Sequence, residues 1–184
     1  MPDERYPQFP GSISVTEVIK AAGLMPESDF IDPWYLSRGS AAHLATAYYD
    51  RGTLDESTVA PEICGLLESW KLFRKDYTPT HIELPINDSL YGLCGTIDRL
   101  PLVDQKGPSR AAWHVLQLAG YAHLCRVNKI DYGTEAKIVH LDPEGGPPTI
   151  EIITTSRLRN EIQILLSALA VVRWKQKNMK GEKR

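Results

Sequence analysis

Hydrophobic residues recur first at helical spacing and later at strand spacing along this chain. Leu66, Trp70 and Phe73 lie three or four residues apart and predict the buried face of a helix over residues 61–75. After Thr80 the pattern changes to short apolar segments separated by turn-forming residues, which are typical of strands. The change marks the end of a helical part of the chain and the start of a sheet.

Periodicity, capping residues and chain breakers together predict five helices and five strands. The helices are expected over residues 15–22, 35–50, 61–75, 112–127 and 157–177. The strands are expected over residues 81–86, 90–100, 102–106, 134–141 and 149–155. This order predicts a mixed α/β or α+β fold in which a small mixed central sheet is flanked by helices.

Length and composition describe one globular domain. A chain of 184 residues can bury a single core, so residues 1–184 are expected to form one domain, with flexible segments at 1–11 and 178–184. The formal net charge of −2 argues against a nucleic-acid binder that is basic over its whole surface, although a local basic groove remains compatible with it. The polar N-terminus and the lack of a long apolar run predict a cytoplasmic protein without a membrane partner.

The three cysteines do not form a metal-binding pattern. Cys64, Cys94 and Cys125 are far apart, and no pair has the CxxC spacing of zinc or iron–sulfur sites. We therefore expect buried free thiols in a reducing compartment.

Two aspartates and a lysine near a predicted turn suggest metal chemistry. Asp98 lies near the end of one strand, and Asp104 and Lys106 lie two residues apart on the next, hence on the same face. A tight reversal would bring the two carboxylates side by side, where their repulsion favours binding of a divalent cation such as Mg²⁺ or Mn²⁺. Lys106 would then orient or deprotonate a water, or stabilise charge on an attacked phosphate.

The same residues also fit a simpler interpretation. Acidic residues and lysines beside a turn are usually a solvated hairpin, and a DxK triplet alone is weak support for a site. For Glu83, on the preceding strand, an exposed strand glutamate is the favoured interpretation, although it could also support the site.

Four motifs in order favour the site. They are Arg38-Gly-Ser-Ala-Ala-His43, Gly95-Thr-Ile-Asp98, Asp104-Gln-Lys106 and the pair Gln117 and Tyr121. In this order, over about residues 12–125, the chain resembles the RecB-like branch of the PD-(D/E)XK nuclease superfamily, which includes phage exonucleases and CRISPR-associated RecB-like exonucleases.

The resemblance implies a role for each matching residue. The implied metal ligands are His43, Asp98, Asp104 and the backbone carbonyl of Gln105, whose side chain would matter little. The implied catalytic residues are Asp98, Asp104, Lys106, Gln117 and Tyr121, the last two lining the active-site groove. Further candidate groove residues are Arg38, Tyr91, Arg99, Arg110 and Trp113.

The function that follows from the resemblance is a Mg²⁺- or Mn²⁺-dependent DNA nuclease, more specifically an exonuclease. It would act in phage or bacterial DNA recombination, repair or replication, in the cytoplasm of a bacterial or phage-infected cell. DNA is the expected partner, and any helicase or recombination partner would be a separate chain, since no Walker A loop is present. The sequence leaves open the polarity of digestion, single- or double-stranded substrate, DNA or RNA, and the oligomeric state.

Two departures from the family pattern leave alternatives open. The reversal between Asp98 and Asp104 is shorter than in RecB-like relatives, and Gly107 follows the lysine where threonine is usual. The first alternative is therefore a catalytically weakened or inactive DNA-binding or assembly module with the same fold. The second is an unrelated α+β interaction domain.

Overall fold

The computed structural model, which describes residues 8–25 and 33–179, places a six-stranded sheet between helices. The α-helices among these residues are α1 Val15–Ala21, α2 Pro33–Asp50, α3 Pro61–Arg74, α4 Trp113–Val127 and α5 Thr155–Asn178. The strands are β1 Ile13–Ser14, β2 His81–Asp88, β3 Leu93–Leu100, β4 Val103–Lys106, β5 Ala136–His140 and β6 Thr149–Ile153. A 3-10 turn, Glu56–Thr58, precedes α3.

The sheet is mixed, and β3 pairs with three other strands. β2 pairs antiparallel with β3 along nearly its full length, from His81↔Leu100 to Asp88↔Leu93. β1 and β4 therefore share the other edge of β3, β1 at its beginning and β4 at its end. β4 and β5 are parallel, because the chain between them crosses over through α4, and β6 returns antiparallel to β5.

Two hydrophobic cores lie on opposite faces of this sheet. The alternation of side chains along β4 and β5 divides them: Val103 and Val139 face α2 and α3, whereas Ile138 belongs to the core with α1, α4 and α5. Trp70, fully buried on α3, is the largest side chain of the smaller core. The sheet is thus covered on both faces, and its strand ends are where side chains can reach a ligand.

The expected fold class is confirmed, and the expected elements are present within a few residues of their predicted ends. β3 begins at Leu93 instead of residue 90, because the Asp88 side chain accepts hydrogen bonds from the N–H groups of Leu90 and Tyr91. Gly92, with φ of 54°, completes this turn. β1 was not predicted, since two residues carry no detectable period.

The expected flexibility of residues 1–11 and 178–184 stays a prediction, and residues 1–7 and 180–184 lie outside the described residues. Within the described part, the N–H of Ser12 donates to the carbonyl of Phe9, and α5 extends to Asn178. The expectation of buried free thiols is met at two of the three cysteines. Cys94 and Cys125 are buried free thiols as expected, but Cys64 is exposed, because it lies on the outer face of α3. No helix in the described ranges has the length and hydropathy to cross a bilayer.

Candidate functional site

The candidate site lies where β3 and β4 separate. The two strands pair only at Arg99↔Val103, so the ladder ends one residue before Asp98 and Asp104 would face each other. The Asp98 carboxylate occupies the gap, and its Oδ2 accepts a hydrogen bond of 2.9 Å from the N–H of Gln105. The Asp98 side chain replaces a backbone carbonyl as the acceptor, and this keeps β3 and β4 apart beyond Arg99 and Val103. We call this gap the fork.

His43 reaches this fork from α2. Its Nδ1 lies 3.4 Å from Oδ2 of Asp98, and its side chain is 34% exposed, so the site is open to solvent on this side. Thr46, one turn later on α2, donates its hydroxyl to Oε1 of Gln105 at 2.7 Å. The Gln105 side chain, expected to matter little, is in fact buried and ties α2 to β4. The structure therefore confirms that His43 and Asp98 converge.

Glu83 is the third member of the cluster, and the expectation of an exposed strand glutamate is wrong. One ligand atom from each of His43, Glu83 and Asp98 lies within 4.8 Å of the others. Glu83 faces Asp98 because the β2–β3 register continues from Ile82↔Arg99 to Leu84↔Ile97 across this position. Its φ of 52° is unusual for a residue with a side chain, and such strain is frequent at functional sites.

A buried ion-pair network lies next to the cluster and contacts Glu83. Arg99, expected in an open groove, is instead fully buried, and its guanidinium pairs with Asp50 at the end of α2 and with Glu83 at 2.9 Å. Asp50 also accepts hydrogen bonds from Arg74 and from the indole N–H of Trp70. The network joins α2, α3, β2 and β3, so Glu83 is held between an arginine and the site.

Asp104 lies on the other side of the fork, where it contacts Lys106. Asp104 is 1% exposed, and its Oδ2 lies 2.8 Å from Nζ of Lys106. Its Oδ1 is buried and accepts no hydrogen bond from the described residues. Asp104 does not belong to the close group of His43, Glu83 and Asp98. The predicted contact between Asp104 and Lys106 is therefore present. The predicted ligand set is wrong in two respects, since the cluster includes Glu83 and does not include Asp104.

The acidic groups of the site perturb one another. Burial and the nearby Asp98 carboxylate together raise the pKa of Glu83 to about 7, although the Arg99 guanidinium opposes the shift. Burial and the Asp98 carboxylate together raise the pKa of Asp104 to about 6, although the Lys106 ammonium opposes the shift. Carboxyl groups forced together in this way gain most from a cation placed between them.

The residues present fit a divalent cation. An imidazole and two carboxylates bring one ligand atom each within 4.8 Å of the others, and this donor set suits Mn²⁺ or Mg²⁺. The N–H and C=O of a strand residue point toward the same neighbouring strand. The N–H of Gln105 points toward Asp98, so the Gln105 carbonyl faces the same side of β4. The unpaired Oδ1 of Asp104 is a further acceptor whose burial calls for a partner.

Gln117 and Tyr121 lie in the core and not along an open groove. The Gln117 amide donates to the Tyr121 hydroxyl at 2.8 Å and to the hydroxyl of Thr16 on α1 at 3.2 Å. The Tyr121 ring packs where a Cβ at Gly95 would clash with it, at 2.8 Å. Their pairing on one helical face was predicted correctly, but it serves to pack α4 against β3 and α1.

The remaining groove candidates are dispersed. Trp113 is close to the site, with its ring centre 5.7 Å from Nζ of Lys106. The Arg38 guanidinium donates a hydrogen bond to the Glu62 carbonyl and lies over the Trp34 ring. Tyr91 lies before β3, at the opposite end of that strand from Asp98, and Arg110 is exposed in the loop after β4.

Comparison of the sequence with protein-family models and with curated proteins gives no match in either case.

Proposed function

We propose that this protein is a Mg²⁺- or Mn²⁺-dependent deoxyribonuclease that hydrolyses phosphodiester bonds, and more specifically an exonuclease of the RecB-like PD-(D/E)XK type. The observation that carries the proposal is the convergence of His43, Glu83 and Asp98 at a strand fork next to the Asp104–Lys106 pair. The exonuclease activity and a role in DNA recombination, repair or replication rest on the motif resemblance alone.

The metal would be held by His43, Glu83 and Asp98, with the Gln105 carbonyl on the same side of β4. A divalent ion there supplies Lewis-acid activation of the phosphate and a water of lowered pKa. Asp98 would help to hold the ion and also fixes β4, since its Oδ2 accepts a hydrogen bond from the N–H of Gln105. Asp104 keeps Lys106 close to the fork through the 2.8 Å contact.

Lys106 is the cation available to the reacting phosphate. Its ammonium group is mostly buried, with 13% of the side chain exposed, between Asp104 and the Trp113 ring. A buried ammonium that is fixed in place stabilises negative charge developing on the phosphate oxygens better than a mobile surface lysine would. Its three donors allow it to keep Asp104 and bind the substrate together.

The ionic requirement of cleavage tests this proposal. Linear DNA should be cut in Mg²⁺ or Mn²⁺, and cutting should stop when EDTA is added. Ca²⁺ should support binding of a fluorescent DNA without cutting it, because Ca²⁺ coordinates water with looser geometry than Mg²⁺. Full cleavage in EDTA would exclude the mechanism.

A second candidate is a binding or assembly module with the same fold and a weakened site. It is favoured by the position of Asp104, which contacts Lys106 instead of joining the cluster of His43, Glu83 and Asp98. Such a module would bind DNA, or a helicase or recombination protein, without cutting. Mn²⁺ binding and DNA binding without cleavage of any single- or double-stranded substrate would support this candidate over the nuclease.

A further inference from the structure

Two buried histidines lie on the far side of Lys106 from the candidate site. His140 is the last residue of β5 and pairs in register with Lys106, and His114 lies in the first turn of α4. Both residues are at least 94% buried, and their ring centres are 5.7 Å apart. Nδ1 of His114 and Nε2 of His140 are buried without a hydrogen-bond partner among the described residues. Two buried, unpartnered ring nitrogens on neighbouring rings call for an explanation.

The proton on His140 is fixed by its neighbour. Nδ1 lies 3.2 Å from the carbonyl oxygen of Gly107, which only accepts hydrogen bonds, so Nδ1 carries the proton. In a neutral ring, Nε2 then carries no proton, and its lone pair is free to bind a metal ion. Histidines that ligate metals typically donate their other ring N–H to a backbone carbonyl in this way, which orients the ring and raises its basicity.

Both rings are neutral near pH 7. Burial, together with the charges of Lys106 and His140, lowers the pKa of His114 to about 3. Burial also lowers the pKa of His140, and the carbonyl of Gly107 only partly offsets this effect. Neutral imidazole is the form that binds metals, so both rings are ready as ligands without loss of a proton.

The spacing of the rings fits a shared ion. A metal 2.0–2.1 Å from a ring nitrogen lies about 3.2 Å from the ring centre, so two rings sharing one ion have centres at most about 6.4 Å apart. The observed distance of 5.7 Å between the ring centres lies within this limit. β5 and α4 are both core elements, so the two ligands are held in place by the fold.

We propose that His114 and His140 form a second metal site that binds one borderline transition-metal ion such as Zn²⁺, Co²⁺ or Ni²⁺. Imidazole nitrogen suits these ions, whereas Mg²⁺ prefers the carboxylate-rich fork. The site is separate from the cluster of His43, Glu83 and Asp98, and two protein ligands leave coordination positions for water or a substrate group. Lys106 opposes a second cation nearby, although its charge is countered by Asp104 at 2.8 Å.

Metal titration of the full chain tests this site directly. In saturating Mg²⁺, Zn²⁺ binding by calorimetry and Co²⁺ binding by visible absorption should each show one ion per chain. His114→Gln and His140→Gln should each lower the affinity at least tenfold. His81→Gln, at an exposed histidine on β2, is the matched control and should change nothing, and His43→Ala should retain the ion.

Equal Zn²⁺ affinity in the parent chain and the His114→Gln/His140→Gln double variant would overturn the proposal. Loss of the ion in His43→Ala alone would overturn it too, since the ion would then occupy the fork. Lys106→Met should tighten Zn²⁺ binding by removing the opposing charge, and unchanged or weaker binding in that variant would also count against the site.

Long-range ¹H–¹⁵N spectra of the parent chain give a test that does not depend on the folding of any variant. Zn²⁺ should shift Nε2 of His140 and Nδ1 of His114 and leave the ring of His81 unchanged. Shifts confined to His43 or His81, or no histidine shift at all, would contradict the proposal.

Discussion

At the scale of single residues, the fork depends on charges that are buried and therefore need their partners. Asp50 has no exposed side-chain surface and contacts both Arg74 and Arg99. Arg99 is also buried, so it cannot turn to solvent if Asp50 is removed. A buried pair of this kind adds little net stability, but breaking it leaves an uncompensated charge.

We therefore expect Asp50→Ala to lower the free energy of unfolding by about 3–5 kcal/mol. The control is Arg157→Ala, which breaks the partly exposed pair with Glu151 and should change stability by about 0–1 kcal/mol. Urea denaturation followed by circular dichroism measures both. Similar small losses in the two variants would show that the buried network does not hold the fork together.

Glu83 should make the metal-free protein less stable as pH rises. Its pKa in the folded protein is about 7 and above its ordinary value of 4.5, so the folded state keeps a proton that the unfolded chain loses. Stability from this group is present below about pH 4.5 and is lost as pH rises to about 7, by at most about 3 kcal/mol. The free energy of unfolding of the parent chain minus that of Glu83→Gln, both measured in EDTA, should fall as pH rises from about 4.5 to about 7. A difference that stays flat would contradict the perturbed pKa.

Asp98 and Lys106 should separate metal binding from catalysis. Asp98→Ala removes a carboxylate of the cluster and should abolish Mn²⁺ binding and cleavage. Lys106→Ala leaves the cluster intact and should keep Mn²⁺ binding but lose roughly 10²-fold in rate. Calorimetric Mn²⁺ titration and single-turnover kinetics measure the two effects. Loss of Mn²⁺ binding in Lys106→Ala would contradict this division of roles.

At the scale of elements, helix α4 is fixed by close contacts on several sides. A Cβ at Gly120 would lie 2.7 Å from a methyl group of Val15 on α1 and 2.8 Å from one of Leu165 on α5. By contrast, a Cβ at Gly39 on α2 would meet no atom within 4 Å. The structure therefore has no room for a Cβ at Gly120 but has room for one at Gly39.

We expect Gly120→Ala to destabilise the protein by about 1–3 kcal/mol through overpacking. Gly39→Ala should instead stabilise it by about 0.5–1 kcal/mol, because alanine loses less backbone entropy in a helix. Thermal unfolding of the two variants beside the parent chain checks the signs. Destabilisation of the same size in both would mean that α4 does not depend on this close approach.

The helices and longer strands could be predicted because their hydrophobic period is set by which face is buried. Asp104 and Lys106 could be placed together because residues two apart on a strand share a face. Glu83 could not be recognised, because its role depends on the β2–β3 register and on a positive φ that no local pattern indicates. Likewise, the burial of Arg99 depends on Asp50, which is 49 residues away in the chain.

At the scale of the whole molecule, the site lies where two inner strands of the sheet separate, and it gathers residues from separate layers. His43 comes from the α2–α3 layer, Glu83 and Asp98 from two sheet strands, and Lys106 extends toward α4. The net charge of −2 does not oppose a DNA substrate, because the acidic groups of the fork would be balanced by the bound cation. The cation would thus both complete the fold of the site and attract the phosphate.

The most direct test of the central claim is single-turnover digestion of end-labelled single- and double-stranded DNA by the parent chain and Asp98→Ala. We predict cleavage by the parent chain in Mn²⁺, none in EDTA, and none by Asp98→Ala in either buffer. Cleavage by Asp98→Ala at the parent rate, or by the parent chain in EDTA, would contradict a metal-dependent nuclease built on this fork. Absence of parental cleavage on both substrates in Mn²⁺ would contradict it as well and favour the binding module.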